Sequence, residues 1–474
     1  MEELKRSIKK ASKDLFDVDI EPELTRPEEQ FGDYSTNVAL QLVSKLANPL
    51  AGGPREIANQ LIKKLQSPVV AKTEVAGPGF INFWLSAETL AKVASGSTNL
   101  PKSNTDKEIL VEFGDANPFK EMHIGHLYSS IVGDAISAQL ETSGAKVRRL
   151  SYHGDVGLHV AKAIFGLREL EKERKERGKS LLDVPVIERE NFLGVAYAYG
   201  ADKYENDQVS REEIHRINVH IYKKDDPETN ELHKKGCELS FSYFDKILDE
   251  LGIKYDENGR YLESDAADFG LNFVREHIGK VFEESEGAIV YKGEKAGLHT
   301  RVFITSQGLP PYEAKDLGLT ELKNNDYPNA ARSIIITASE QSEYFKVMLA
   351  ALAEIDANLA KKTTHLSHGF LSLTTGKMSS RTGNVYLATD LLESVKSTVD
   401  ELYPDSQIKK EVYIGAVKYA FLKHRLGQDI VVDVKEAASL QGNSGPYLQY
   451  AFVRANSILK KSKVARSTSS GQES

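Results

Sequence analysis

Apolar residues recur at helical spacing through the first segment of the chain, at Leu4, Ile8, Ala11 and Leu15, then at Val38, Leu42 and Leu46 and at Ile57, Leu61 and Leu65. Residues one turn apart share a helix face, so the spacing predicts three amphipathic helices, the first over residues 1–16. Two short β-type runs follow, Thr73-Glu74-Val75 and Phe80-Ile81-Asn82-Phe83-Trp84-Leu85, on either side of a Gly77-Pro78-Gly79 turn. Together these make residues 1–96 a small α+β domain. Between residues 97 and 107 the periodic pattern gives way to Ser, Asn, Pro and Lys, the composition of a linker.

A different rhythm begins at residue 108. Ile109-Leu110-Val111-Glu112-Phe113 reads as a strand, Asn117-Pro118 as a loop, and Ile124, Leu127, Ile131, Ala135 and Ala138 as one face of a helix that Gly144 can end before a strand over residues 147–152. Further strands are expected over residues 333–337 and 366–373. Strands alternating with helices predict an α/β fold for residues 108–400, a Rossmann-type doubly wound parallel sheet, whose ligands bind beyond the strand C-termini. Within it, residues 167–256 are dense in Lys, Arg, Glu and Asp, with apolar positions such as Leu239, Phe244, Ile247 and Leu251. This predicts a helical insertion with solvated faces. Residues 401–474 return to a helical pattern, turn basic at Arg454, Lys460, Lys461, Lys463 and Arg466, and carry a disordered composition over residues 467–474.

Composition narrows the function classes. The 474 residues exceed the usual size of a single core, and 40% hydrophobic with 27% charged residues is ordinary for a globular protein. No apolar run approaches the roughly 20 residues that span a bilayer. The N-terminal helix mixes Lys and Glu with its apolar residues, unlike a signal peptide. One cysteine, Cys237, excludes an intramolecular disulfide and a Cys-rich zinc site, so a cytoplasmic location without a protein-held metal is expected. The net charge of -8 argues against coating nucleic acid, while leaving room for a local basic face.

Two segments carry candidate chemistry. His123-Ile124-Gly125-His126 sits where a loop enters a helix, where free backbone N–H groups and the helix dipole favour phosphate. Imidazoles three residues apart share a helix face and can donate toward a triphosphate, and Gly125 leaves room for a nucleotide. Some 250 residues on, Gly376-Lys377-Met378-Ser379-Ser380-Arg381-Thr382-Gly383-Asn384 reads as a small-residue loop with cations and hydroxyls. In an attack on the α-phosphate, negative charge grows on the leaving pyrophosphate, and a mobile Lys or Arg can meet it.

These two segments, in this order, resemble the paired signatures of class I aminoacyl-tRNA synthetases, His-Ile-Gly-His and Lys-Met-Ser-Lys-Ser. The first matches throughout. In the second, Ser380 stands in place of a lysine and Arg381 in place of a serine. The departure resembles that of arginyl-tRNA synthetases, in which a lysine before the first signature compensates, here Lys120. Lys120 and Arg381 both stand as the leaving-group cation. The resemblance spans most of the chain. Val75-Ala76-Gly77-Pro78-Gly79-Phe80-Ile81-Asn82-Phe83 is similar to the end of that family's N-terminal domain. His153-Gly154-Asp155-Val156-Gly157 is similar to a catalytic motif that usually has Trp at the Val156 position, and Gly442-Asn443-Ser444-Gly445-Pro446-Tyr447-Leu448-Gln449-Tyr450 to the start of the anticodon-binding domain.

The resemblance implies ATP-dependent ligation of L-arginine to tRNA(Arg) through arginyl-adenylate, with magnesium as part of the ATP substrate. It implies catalytic roles for Lys120, His123, His126, Lys377, Ser379 and Arg381, and ATP contacts from His123, Gly125, His126, Lys377 and Met378. Arginine would be held by Glu112, Asp115, Ala116, Asn117, His126, Tyr312, Asp316 and Gln341. A guanidinium is a planar fork of donors that is costly to bury without carboxylates, so an acidic pocket is required. Residues 1–96 would contact the tRNA elbow, and residues 401–474 would form a shortened anticodon-binding domain of a monomeric enzyme.

Overall fold

The computed structural model describes residues 2–27, 29–46, 52–65, 67–96, 102–374 and 386–469, and divides into two compact units, Met1–Pro101 and Lys102–Ser474. In the first, α1 (Glu2–Phe16), α2 (Val38–Val43) and α3 (Gly53–Lys64) lay their apolar faces on an antiparallel sheet. Its strands are β1 (Tyr34–Thr36), β2 (Val70–Ala76) and β3 (Phe80–Leu85), in the order β1-β3-β2. Leu4, Ile8, Leu42, Ile57 and Leu61, the periodic positions of the sequence, meet Ile81 and Phe83 in one core. Helix α4 (Ala87–Gly96) follows.

The second unit is built on five parallel strands: β4 (Glu108–Glu112), β5 (Lys146–His153), β6 (Arg260–Leu262), β10 (Arg332–Ala338) and β11 (Thr363–His368). Their order is β11-β10-β4-β5-β6, so the chain winds outward from β4 one way and later returns to its other side at β10. That reversal opens a crevice between β4 and β10 at the strand C-termini. Helix α5 (Ile124–Thr142) connects β4 to β5. The insertion between β5 and β6 is four helices, α6 (Leu158–Glu176), α7 (Arg189–Asn206), α8 (Gln208–Lys223) and α9 (Pro227–Glu250). It starts nine residues before the charge-dense stretch expected from residue 167, because the first turns of α6 carry buried Val160, Ala161, Ala163 and Ile164.

Between α10 (Glu263–Glu276) and α11 (Tyr312–Asp326) lies an antiparallel sheet, β7 (Glu283–Ser285), β8 (Ala288–Tyr291) and β9 (Arg301–Ile304), which the sequence pattern did not anticipate. Its hairpin turns at Glu286-Gly287, both at positive φ (51° and 78°), the geometry of a two-residue hairpin loop. After β10 come α12 (Ser342–Ile355) and α13 (Ala357–Lys362), then β11. The strand expected over residues 366–373 is broken at Gly369-Phe370. Residues beyond the break form β12 (Leu371–Leu373), which leaves the main sheet to pair with β13 (Ile430–Val432). The Phe370 N–H donates to Asp429 Oδ1 at 2.7 Å, and a Cβ on Gly369 would collide with the Gln428 backbone.

Helices α14 (Ala388–Leu402), α15 (Lys409–Leu422), α16 (Val434–Ala438) and α17 (Gly445–Ser469) complete the unit. The boundary expected at 400/401 falls inside α14. Leu391, Val395, Val417 and Phe421 share one core with Leu127 and Ile131 of α5, and α17 extends into the stretch expected to be disordered from residue 467. None of the described helices is long and apolar enough to cross a membrane.

Candidate active site

A cleft of about 260 Å³ opens at the C-terminal edge of the sheet and is lined from β4, β5, β10, β11, α5, α11 and α12. Its floor is the turn after β4. Gly114 and Asp115 take positive φ (89° and 43°), which swings the chain off the sheet edge. Three hydrogen bonds fix this turn. The Gly114 N–H donates to Ser129 Oγ at 3.1 Å, the Tyr152 N–H to Asp115 Oδ1 at 2.9 Å, and the Gly154 N–H to Asn117 Oδ1 at 2.8 Å.

His123 is the N-cap of α5 rather than a residue of its first turn. Its Nδ1 accepts from the Gly125 N–H at 3.1 Å, and the His123 N–H donates to His126 Nδ1 at 3.3 Å. The rings stack with centroids 3.6 Å apart. Burial lowers both pKa values, helped at His123 by Lys120 and at His126 by His123, His153 and Lys120. Neutral rings whose Nδ1 atoms accept must carry their protons on Nε2, so both present N–H donors at the helix N-terminus. A Cβ on Gly125 would lie 2.9 Å from His123 Cε1, so a side chain there would push the capping ring out of place. The chain also re-enters here, because the Ile124 N–H donates to the Tyr386 carbonyl at 3.0 Å and the Ala388 N–H to that of Met122 at 2.8 Å. Residues directly after the second signature are thereby paired with the first.

Five carboxyl groups line the cleft: Glu112, Asp115, Glu263 and Asp316, which are buried or half-buried, and Glu340, which is exposed. Two are matched by lysines. Lys323 of α11 pairs with Glu112 at 2.7 Å, both nearly inaccessible, and Lys315 pairs with Glu263 at 2.7 Å. Asp115 and Asp316 have no cation partner among the described residues. Burial pushes the Asp316 carboxyl up to about 8, opposed by a hydrogen bond from the Tyr344 hydroxyl and reinforced by the Glu112 charge. Burial, then the charge of Glu112, also raises Asp115 well above the carboxylate range. The cleft thus leaves two enclosed carboxyls, Asp115 and Asp316, without counter-charge and adjoins a helix N-terminus with two imidazole donors.

The profile described as "tRNA synthetases class I (R), catalytic domain" matches residues 89–434, and "Arginyl tRNA synthetase N terminal domain" matches residues 2–85. The chain belongs to the class I arginyl-tRNA synthetases. It is 28% identical over 461 residues to the arginine--tRNA ligase of Borreliella afzelii, covering 92% of this chain and 75% of that protein. It is 29% identical over 450 residues to that of Fusobacterium nucleatum, covering 91% and 76%. Among solved structures, Thermus thermophilus arginyl-tRNA synthetase superposes with a TM-score of 0.68 at 26% identity, over 97% of this chain and 81% of that one. The Plasmodium falciparum enzyme shares the fold, with a TM-score of 0.69 at 20% identity, over 97% and 80%. This synthetase therefore catalyses ATP-dependent ligation of arginine to tRNA(Arg) through an arginyl-adenylate, releasing AMP and pyrophosphate.

Of the residues singled out in the synthetase sequence, Glu112, Asp115, Asn117, His123, Gly125, His126, Tyr312, Asp316 and Gln341 all line the cleft. Tyr312 stands at its rim, 65% exposed. Ala116 lies beneath the surface, and its carbonyl sits 2.6 Å from His153 Nδ1. Lys120 is exposed and is not a lining residue, though its charge is felt at both signature histidines. Lys377, Met378, Ser379 and Arg381 lie outside the described residues. The sequence reading missed Glu263, Tyr344 and His368 among the lining residues, and Lys323 and Lys315 behind them. Glu263 carried a usable signal, since a carboxylate directly after a parallel strand faces the ligand edge. The lysines carried none, because their partners are 211 and 52 residues away. Among the described residues no group of three or more His, Cys, Asp or Glu is placed to hold a metal.

Proposed function

We propose that Asp316 receives the guanidinium of arginine and Asp115 its α-ammonium, with the carboxylate directed toward an ATP whose phosphates lie at the N-terminus of α5. The observation that carries this reading is the charge count among the enclosed carboxyls: of the four that are buried or half-buried, two are neutralised by lysines and two remain for a substrate with two positive groups, while the fifth, Glu340, is exposed to solvent. Glu112, Asn117, Tyr312 and Gln341 complete the amino-acid side, and the Ala116 backbone shapes its floor. The arginine carboxylate attacks the α-phosphorus of magnesium ATP, and no protein nucleophile is required. His123 and His126 donate from Nε2 to the phosphates, so the acceleration comes from alignment and pre-placed donors. Lys120, Lys377, Ser379 and Arg381 are assigned to the leaving pyrophosphate, and Met378 to the nucleotide. The first unit and the C-terminal helices are assigned to tRNA, in a monomeric, cytoplasmic enzyme.

The test uses analogues that each lack one charge. Citrulline keeps the shape of arginine without the guanidinium charge, and desamino-arginine lacks the α-ammonium. Asp316→Asn should shrink the preference for arginine over citrulline in competition with aminoacylation, while Asp115→Asn should shrink the preference over desamino-arginine. An Asp316→Asn enzyme that still prefers arginine over citrulline as strongly as the wild type would remove Asp316 from the guanidinium subsite.

A further inference from the structure

His368, the last residue of β11, lines the outer end of the cleft, and the chemistry described above leaves it without a role. Two contacts hold its ring. One face lies against Tyr128 of α5, with centroids 4.5 Å apart, and Nδ1 lies 2.9 Å from the Gly369 carbonyl oxygen. A carbonyl oxygen only accepts, so Nδ1 carries the proton, and Nε2 of the neutral ring holds a lone pair. Burial lowers the pKa of the imidazole, which favours that neutral form. No hydrogen bond among the described residues uses Nε2. The backbone just beyond is pinned as well, since the Phe370 N–H donates to Asp429 and the Phe370 carbonyl accepts from the Ile430 N–H at 2.8 Å. His368 is thus a fixed acceptor of the kind that reads a donor on a ligand.

Its position names the ligand group. Along the sheet edge, Glu263, Tyr152 and Gly154, then Glu112 and Asp115, occupy the β6, β5 and β4 positions. The β10 and β11 positions hold Ile336, Thr337, Ala338 and His368, and the one carboxylate lining the cleft after them, Glu340, is exposed, whereas those at the β4 to β6 positions are buried or half-buried. With arginine over the carboxyls and the phosphates at the N-terminus of α5, a placement taken from the proposed function, the purine base of ATP falls on this less charged part of the wall. We infer that His368 Nε2 accepts a hydrogen bond from the 6-amino group of adenine and thereby selects ATP against purine nucleotides lacking that donor. A 6-oxo purine would set a carbonyl lone pair against the Nε2 lone pair, leaving a buried acceptor unpaired.

The experiment compares kcat/KM for ATP, purine riboside triphosphate and inosine triphosphate in tRNA aminoacylation by the wild type and by His368→Phe. Phenylalanine keeps a ring beside Tyr128 but offers no acceptor. Wild type should prefer ATP over purine riboside triphosphate by about tenfold, and the variant by about twofold or less, through KM for the nucleotide with KM for arginine unchanged. Because the ratio is taken within one preparation, a partly unfolded variant does not distort it. An unchanged ratio in His368→Phe overturns the inference. His126→Ala separates it from the underlying placement: if that variant leaves ATP kinetics untouched, the phosphates lie elsewhere. If it impairs them while the His368→Phe ratio stays at the wild-type value, only the base contact is wrong.

Discussion

Arginine binding should expel a proton from the enzyme, and its affinity should fall steeply as pH drops below 8. Asp316 is 6% exposed, and burial holds its carboxyl at about 8, so at neutral pH most of the free enzyme carries it protonated. A guanidinium needs the ionised form, and its arrival stabilises that form. Binding therefore draws on the ionised fraction, about one molecule in ten at pH 7 and one in a hundred at pH 6. The apparent affinity should weaken about tenfold per pH unit over this range, ~1.4 kcal/mol each. Asp115, raised in the same direction, steepens the dependence where its own proton is also displaced. Isothermal titration of arginine into the enzyme, run in two buffers of different ionisation enthalpy, reads the released proton directly. A second arm comes from stability. A carboxyl whose folded pKa lies above its unfolded value of about 3.9 contributes stability that is full below that value and lost as pH rises through about 8. Arginine supplies the missing counter-charge, so its thermal stabilisation should grow from pH 6 to 8. A dissociation constant constant over that range, with no proton released, would refute the buried-carboxyl account of recognition.

Two substitutions probe the groups around that carboxyl. Tyr344→Phe removes the hydroxyl that donates to Asp316 and opposes its raised pKa, so the arginine KM profile should move to higher pH and KM at pH 7 should rise roughly fivefold. An unmoved profile would mean that the hydroxyl does not bear on the ionisation. Lys323→Met leaves Glu112 buried without its partner and should cost about 3–5 kcal/mol in urea unfolding, whereas Lys346→Met, at an exposed pair, should cost less than about 1 kcal/mol.

The parts legible in the sequence were those whose cause is local. The alternation of Ile109, Val111 and Phe113, the helical face from Ile124 to Ala138 and the stop at Gly144 depend on neighbours within a few residues. The same holds for the helix entry at α5, although His123 proved to cap the helix and to present its donor because its Nδ1 accepts from the backbone. Selection of Asp316 from many carboxylates came from family resemblance, since nothing local marks it. The pairing of Glu112 with Lys323 and the break at Gly369-Phe370 were hidden. Each is decided by a partner brought close only by the fold, Lys323 from α11 and Asp429 from the β13 approach.

The insertion illustrates the same limit and changes how it should be understood. Its charge density pointed to solvated helices, yet its core of Val160, Ile164, Leu193, Ile217 and Leu239 also contains Phe119 and Val156. Those two residues belong to the loops that carry the first signature and the His153-Gly154-Asp155 motif. Helix α9 grips both loops with polar groups as well. Ser240 Oγ accepts from the Phe119 N–H at 3.0 Å, where Phe119 sits at φ 63°, and His233 Nε2 lies 2.8 Å from the Asp155 carbonyl and 3.3 Å from its carboxylate. Asp155 in turn accepts the Ser264 N–H at 2.9 Å, fixing the start of α10 beside Glu263. Burying one such apolar side chain contributes about 1.5–3 kcal/mol, so folding of the insertion and the shape of the cleft are energetically linked. Val156, 3% exposed, thus belongs to the packing of this core and is not among the residues that line the cleft.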